Sequence, residues 1–369
     1  MTGKILPPPS IFECHLLNQP PHPSLHDPLY AALRRKAFSK DPEAAHDWAF
    51  GWMSKPWVSK LLASRYRIHT PPQPVSVAGL QFPNRIGLAA GLDKNGDYID
   101  ALGALGFGFI EIGTVTPKPQ PGNPTPRMFR LPEYGALINR LGFNNLGVDH
   151  LIKRAEARRW QGILGINIGK NAVTPLEEAH NDYIQCLEKI YPVADYITVN
   201  ISSPNTKDLR QLQHGDALAA LLDPVMNRHA QLASQHSANK PLFVKIAPDM
   251  DDSAIQQFID VANRYPINGV IVSNTTARRD LVEGHPLADE AGGLSGEVLR
   301  DFANDRLSVV QKHRPQNWAL IGAGGVSNGE DAQTKLNLGA DLVQIYTGFI
   351  YHGPRLIQRA VETTNEHKQ

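Results

Sequence analysis

A chain of 369 residues, 41% hydrophobic and 20% charged, has the make-up of a soluble globular enzyme and the length for one large barrel with an appendage. Its 37 Lys and Arg against 36 Asp and Glu leave a formal charge of +1, which gives no ground for a nucleic-acid partner. Two cysteines, Cys14 and Cys186, are too few for a disulfide framework or a Cys-rich metal site. No apolar run reaches the ~18 residues of a membrane span, and residues 1–9 lack the apolar core of a signal peptide, so any contact with a bilayer is expected to be peripheral.

Pro7-Pro8-Pro9 and Pro20-Pro21-His22-Pro23 favour extended backbone and predict a flexible leader over residues 1–26. Asp27-Pro28 and Asp41-Pro42 each set a capping acid before a proline at the first helical position, which predicts helices over about 28–39 and 42–53. Ser54-Lys55-Pro56 restarts a helical turn to about Ala63, and Pro71-Pro72-Gln73-Pro74 forms a stiff linker. Residues 27–70 are thus expected to be a small helical module and residues 75–369 a separate unit. In that unit short apolar runs alternate with amphipathic stretches, at 86–90, 109–113, 163–168, 196–201, 242–247, 269–273, 319–323 and 342–346. Eight such runs predict a (β/α)8 barrel. A doubly wound sheet needs no closed set of eight, and no G-x-G-x-x-G follows the first run.

Barrel active sites sit at the carboxyl ends of the strands, and nearly every run ends in a polar residue: Asp93-Lys94, Thr114, Asn167, Asn200, Lys245, Ser273-Asn274 and Tyr346-Thr347. A full ring of such ends reads as a lined pocket. Glycine turns at Gly292-Gly293-Leu294-Ser295-Gly296, Gly322-Ala323-Gly324-Gly325 and Gly348 let backbone N–H groups approach an anion, which points to a phosphorylated ligand, although each turn alone serves a tight bend equally well. Lys245, between Val244 and Ile246, is a cation inside an apolar strand; it needs an anion or electron-rich ring beside it, or else serves as an imine-forming nucleophile. Lys94 invites the first reading, or that of a surface lysine. Asn200-Ile201-Ser202-Ser203-Pro204-Asn205 gathers amides and hydroxyls after a strand, and Asn274-Thr275 with Asn139-Arg140-Leu141-Gly142-Phe143-Asn144 add more, a set suited to the edges of an acidic amide heterocycle. The Pro-rich stretch between Thr114 and Asn139 reads as a lid or binding loop. No histidines stand at metal-ligand spacing, so no metal is expected, and Cys186 sits mid-helix as a small buried side chain.

Five blocks, Leu88 to Lys94, Ile110 to Pro117, Asn139 to Asn145, Asn200 to Asn205 and Gln344 to Phe349, resemble the signature blocks of the class 2 dihydroorotate dehydrogenases, the quinone-dependent, membrane-associated type, and the likeness runs in order from about residue 27 to 358. The resemblance implies a (β/α)8 barrel that binds FMN, oxidises dihydroorotate to orotate in pyrimidine synthesis and passes the electrons to a membrane quinone, ubiquinone or menaquinone. It makes Ser203 the catalytic base, where class 1 enzymes carry cysteine. It assigns the substrate to Lys94, Asn139, Arg140, Leu141, Gly142, Phe143, Asn200, Asn205, Asn274 and Thr275. It assigns FMN to Ala90, Gly91, Leu92, Asp93, Lys94, Thr114, Asn167, Asn200, Lys245, Ser273, Gly296, Gly325, Tyr346 and Thr347. Ser273 and Thr347 stand where the family pattern has threonine and serine, exchanges that keep a hydroxyl. Three of the five tryptophans (Trp48, Trp52, Trp57) and an excess of five positive charges lie between Tyr30 and Arg67. That mixture suits an anionic bilayer face, or packs on the barrel. With the resemblance it implies a quinone passage and a monomer held peripherally on the cytoplasmic face of a bacterial inner membrane.

Overall fold

Proline sets the start of each of the first three helices. In the computed structural model, which describes residue 25 and residues 27–366, they are α1 (Pro28–Phe38), α2 (Pro42–Met53) and α3 (Pro56–Arg65). Asp27 and Asp41 cap the first two by accepting the N–H groups of residues two and three positions on. The Asp27 carboxylate also takes the Tyr66 hydroxyl at 2.6 Å and Arg65 at 3.1 Å, tying the start of α1 to the end of α3. Burial acts to raise its pKa, but these hydrogen bonds and the adjacent guanidinium hold it below the usual carboxylate range. The expected leader and Cys14 lie outside the described residues, apart from Leu25, which is buried.

The strands follow as β1 (Val75–Val77), β2 (Leu80–Phe82), β3 (Ile86–Leu88), β4 (Phe109–Val115), β5 (Met128–Leu131), β6 (Ala136–Asn139), β7 (Ile163–Ile168), β8 (Tyr196–Asn200), β9 (Leu242–Ile246), β10 (Gly269–Val272), β11 (Gly293–Gly296), β12 (Ala319–Ala323) and β13 (Leu342–Ile345). Eight of them close a parallel barrel in the order β3-β4-β7-β8-β9-β10-β12-β13, as the count of apolar runs predicts. The hairpin β1–β2 carries Val77 and Phe82 into the amino-terminal mouth, where Phe82 meets Phe109 edge-on at 5.2 Å and Tyr196 and Phe243 continue the stack. This aromatic plug closes the floor. Gly165 on β7 makes room for it, since a Cβ there would lie 2.0 Å from the Tyr196 ring.

The barrel helices bury one face each; in Ala179–Ile190 that face includes Tyr183, Cys186 and Leu187. Burial raises the Cys186 thiol well above its ordinary pKa, which makes it inert. Two expectations need correction. The stretch before Asn139 is not loop throughout, because β5 and β6 form an antiparallel hairpin. The cluster Gly292 to Gly296 is not a turn but carries strand β11, which pairs with β6 to make a separate three-stranded sheet. Its glycines serve close packing, a Cβ at Gly293 lying only 1.9 Å from the Thr275 hydroxyl. Behind this sheet Leu131, Ile138, Val282 and Leu294 form their own apolar cluster.

Candidate active site

Alternation along the barrel strands sorts inward side chains into layers. Above the aromatic floor comes a polar layer centred on Glu111 of β4, which is fully buried. Its Oε1 accepts from Asn167 Nδ2 at 2.8 Å, and its Oε2 accepts from Tyr196 OH at 2.9 Å, Thr198 Oγ1 at 3.1 Å and Gln344 Nε2 at 2.8 Å. Four donors on one carboxylate match the hydrogen-bonding capacity of its ionised form. Lys245, one layer up, is pulled down in pKa by burial and pushed up by the charge of Glu111.

Above that layer lies a cavity at the carboxyl ends of the strands, and Lys245, Asn200 and Ser203 all face it. Its lining includes Ala90, Gly91, Thr114, Ser273 and Tyr346, together with Asn139, Leu141, Gly142, Phe143, Asn205, Asn274 and Thr275, and Gly296, Gly325 and Thr347. Ser203 is buried, and its Oγ accepts the Asn205 N–H at 3.2 Å. Asn205 Nδ2 in turn donates to Asn139 Oδ1 at 3.1 Å. The loop is clamped from outside by Arg210, which donates to Ser202 O at 3.0 Å, to Thr275 O at 2.9 Å and to Asp249 at 2.7 Å.

Four residues of the sequence-derived set lie off this cavity. Arg140 turns outward to Glu290 at 2.5 Å and stacks on Phe129. Asn167 sits behind Thr114 and reaches the cavity only through it. Leu92 and Asp93 border the neighbouring cavity. Asp93 caps its own turn by accepting the N–H groups of Asp97 and Tyr98, and burial raises it to about 6. The sequence reading passed over Glu111, Gln344, Glu297, Ser327 and His352, of which all but Glu111 line the cavity. Glu111 carried a usable signal: it is a charge flanked by Ile110 and Ile112, the same pattern that singles out Lys245.

The second cavity, about 870 Å³ and mainly apolar, runs between α1–α3 and the barrel. It shares Gly91, Lys94, Leu141 and Tyr346 with the first. Lys94 stands at this junction, where burial lowers it to about 8. The helices are fastened over it by Arg127, which grips Glu43 with Nε and Nη2, by the Tyr30 hydroxyl on Ile350 O at 2.8 Å, and by His46 Nε2 on Leu92 O at 2.7 Å. Leu29, Leu33, Trp52, Trp57 and Leu61 are exposed, Trp57 by 61%. Among the described residues no helix is long and apolar enough to cross a membrane, and no group of His, Cys, Asp and Glu could hold a metal.

Residues 74–367 match the family model for dihydroorotate dehydrogenase. Curated relatives include a dihydroorotate dehydrogenase (quinone) of Saccharophagus degradans, 50% identical over 90% of this chain and 98% of its own length. The enzyme of the same name from Delftia acidovorans is 52% identical over 89% of this chain and 95% of its own. A crystal structure of a dihydroorotate dehydrogenase from Eimeria tenella in complex with ferulenol superposes with a TM-score of 0.77 at 36% identity, covering 88% of this chain and 90% of that one.

Proposed function

The chain belongs to the dihydroorotate dehydrogenase family, in its quinone-dependent class, and from that premise we propose that it oxidises dihydroorotate to orotate in the upper cavity and delivers the electrons to a quinone that enters through the apolar one. The observation that carries this reading is the junction at Gly91, Lys94, Leu141 and Tyr346, where a polar site meets an apolar passage within one barrel mouth.

The upper cavity suits FMN by its donor set. Lys245 offers a cation, Gln344 Oε1 is a buried acceptor without a partner, and Gly296, Gly324 and Gly325 border the end where Ser295, Ser327 and Thr347 supply hydroxyls for a phosphate. When bound, FMN supplies a hydride acceptor for the substrate and an electron carrier toward quinone. Lys245 offsets negative charge beside the ring. Asn139, Asn205, Asn274 and Thr275 hold the amide edges of the substrate, with Lys94 facing its carboxylate. Ser203 Oγ, fixed by the Asn205 N–H, takes the proton and must release its own as it does so. Arg140, turned to Glu290, supports the rim.

The exposed Trp52, Trp57 and Leu61, with Lys55 against the Trp52 ring at 3.6 Å, form a surface for the lipid headgroup boundary at the passage mouth. The protein accordingly works as a peripheral enzyme on the cytoplasmic face of a bacterial membrane. The test is the visible spectrum of the purified protein. A flavin band that dihydroorotate bleaches without oxygen, and that quinone then restores, supports the reading, and a colourless protein overturns it.

A further inference from the structure

The hydrogen bonds around the cavity run in one direction. Asn274 Nδ2 donates to Ser202 Oγ at 2.9 Å, Ser202 Oγ to Asn200 Oδ1 at 2.9 Å, Asn200 Nδ2 to Thr114 Oγ1 at 2.8 Å, Thr114 Oγ1 to Asn167 Oδ1 at 2.5 Å and Asn167 Nδ2 to Glu111 at 2.8 Å. Backbone donors fix two of these amides independently, since Thr275 N meets Asn274 Oδ1 and Ser202 N meets Asn200 Oδ1. Gln344 has no such second anchor. Its Nε2 lies 2.8 Å from Glu111 Oε2 and 3.5 Å from the Tyr196 hydroxyl. Its Oε1 has no partner, although Gln344 is only 1% exposed and lines the cavity. Reversing the amide would set its oxygen against a carboxylate that can only accept.

We infer that Glu111 is a positioning residue for the ring held in this cavity: by engaging the Gln344 amide nitrogen it obliges Gln344 to present an acceptor to an N–H of the bound ring system. The inference rests on the flavoenzyme reading above and extends it to Glu111, which that reading leaves without a role, and to the way Gln344 is turned. A buried acceptor that gains no donor carries a desolvation cost, so an N–H there is selected over a ring edge that offers only acceptors. In Glu111→Gln the new amide can still accept from Asn167 while its own N–H₂ group faces Gln344, which turns round and offers a second N–H₂ to the cavity.

The experiment measures FMN dissociation by the fluorescence of flavin released on serial dilution of the loaded enzyme, together with the flavin absorption maximum. E111Q is expected to weaken FMN binding by about ten- to a hundredfold and to shift the band, as an unmet polar contact of this kind does. The double variant Glu111→Gln with Gln344→Glu, which exchanges carboxylate and amide and restores an acceptor facing the cavity, is expected to recover most of that affinity. Unchanged affinity and spectrum in E111Q overturn the inference, as does a double variant no better than E111Q. Should E111Q fail to fold by circular dichroism, Gln344→Leu, which leaves the carboxylate in place, must itself weaken FMN binding at least tenfold, and binding within ~2-fold of the parent overturns the inference. A parent protein that carries no flavin defeats the flavoenzyme reading itself, whereas a flavin-loaded parent beside an indifferent E111Q defeats this inference alone.

Discussion

Arg210 touches neither cavity, yet it holds three separate segments: the Ser202 carbonyl beside Ser203, the Thr275 carbonyl beyond β10, and Asp249 after β9. Replacing it by alanine removes three hydrogen bonds from a charged donor, each worth about 1.5–3 kcal/mol where solvent cannot substitute. Its side chain is 23% exposed, so water enters to satisfy part of what is lost, and Asp249 keeps the Thr276 hydroxyl and the Ala277 N–H. The expected loss of stability is therefore roughly 3 kcal/mol, below the simple total. The larger effect falls on rate. A base displaced by about 1 Å from its proton costs on the order of a hundredfold, so Arg210→Ala should slow flavin reduction by dihydroorotate by about that factor. FMN binding should change little, because Arg210 itself borders neither cavity. Anaerobic stopped flow over a range of dihydroorotate concentrations separates the limiting rate from the apparent Kd, and guanidinium melts report the stability. Arg210→Lys, able to keep a single contact, should fall between the two. A limiting rate in Arg210→Ala within ~3-fold of the parent would refute the claim that this clamp positions Ser203.

Ser203→Ala should leave FMN bound and reduce the rate of flavin reduction by about 10²- to 10⁴-fold, the usual contribution of a general base; near-normal reduction in stopped flow removes Ser203 from that role. Removing residues 1–70 takes away α1–α3 and opens the passage, so the truncated enzyme should reduce a water-soluble dye but not a long-tailed quinone, and should no longer sediment with anionic vesicles. Full quinone turnover by the truncated chain argues against the passage. Lys335, fully buried with its Nζ on Asn304 at 2.8 Å, is pulled down to about 7 by burial against an ordinary value of 10.5. The unfolded chain then binds the extra proton between those two values, so this group makes stability rise as pH increases through that window. Lys335→Met should flatten the difference in denaturation midpoint between about pH 8 and about pH 9.5, roughly one unit inside either end of that window, and parallel profiles for the two proteins would contradict the assignment.

The barrel was legible in the sequence because a parallel strand buried on both faces must be written as an uninterrupted apolar run, and eight such runs stand out against the polar helices between them. The first two helices were legible because Asp before Pro encodes a cap and a fixed φ locally. The polar strand ends announced the site for the same local reason. What the sequence by itself left undecided is direction. Arg140 and Asn139 are neighbours in one motif, but β6 pairing with β11 sends Asn139 toward Asn205 and Arg140 out to Glu290. The glycines of 292–296 read as a turn because glycine permits both a turn and a close strand contact, and only the partner strand distinguishes them. Glu111, Gln344 and Lys245 are far apart in the chain and come near one another only when the barrel closes, because the distance between β4, β13 and β9 across its interior is set by the ring of strands and not by any one of them.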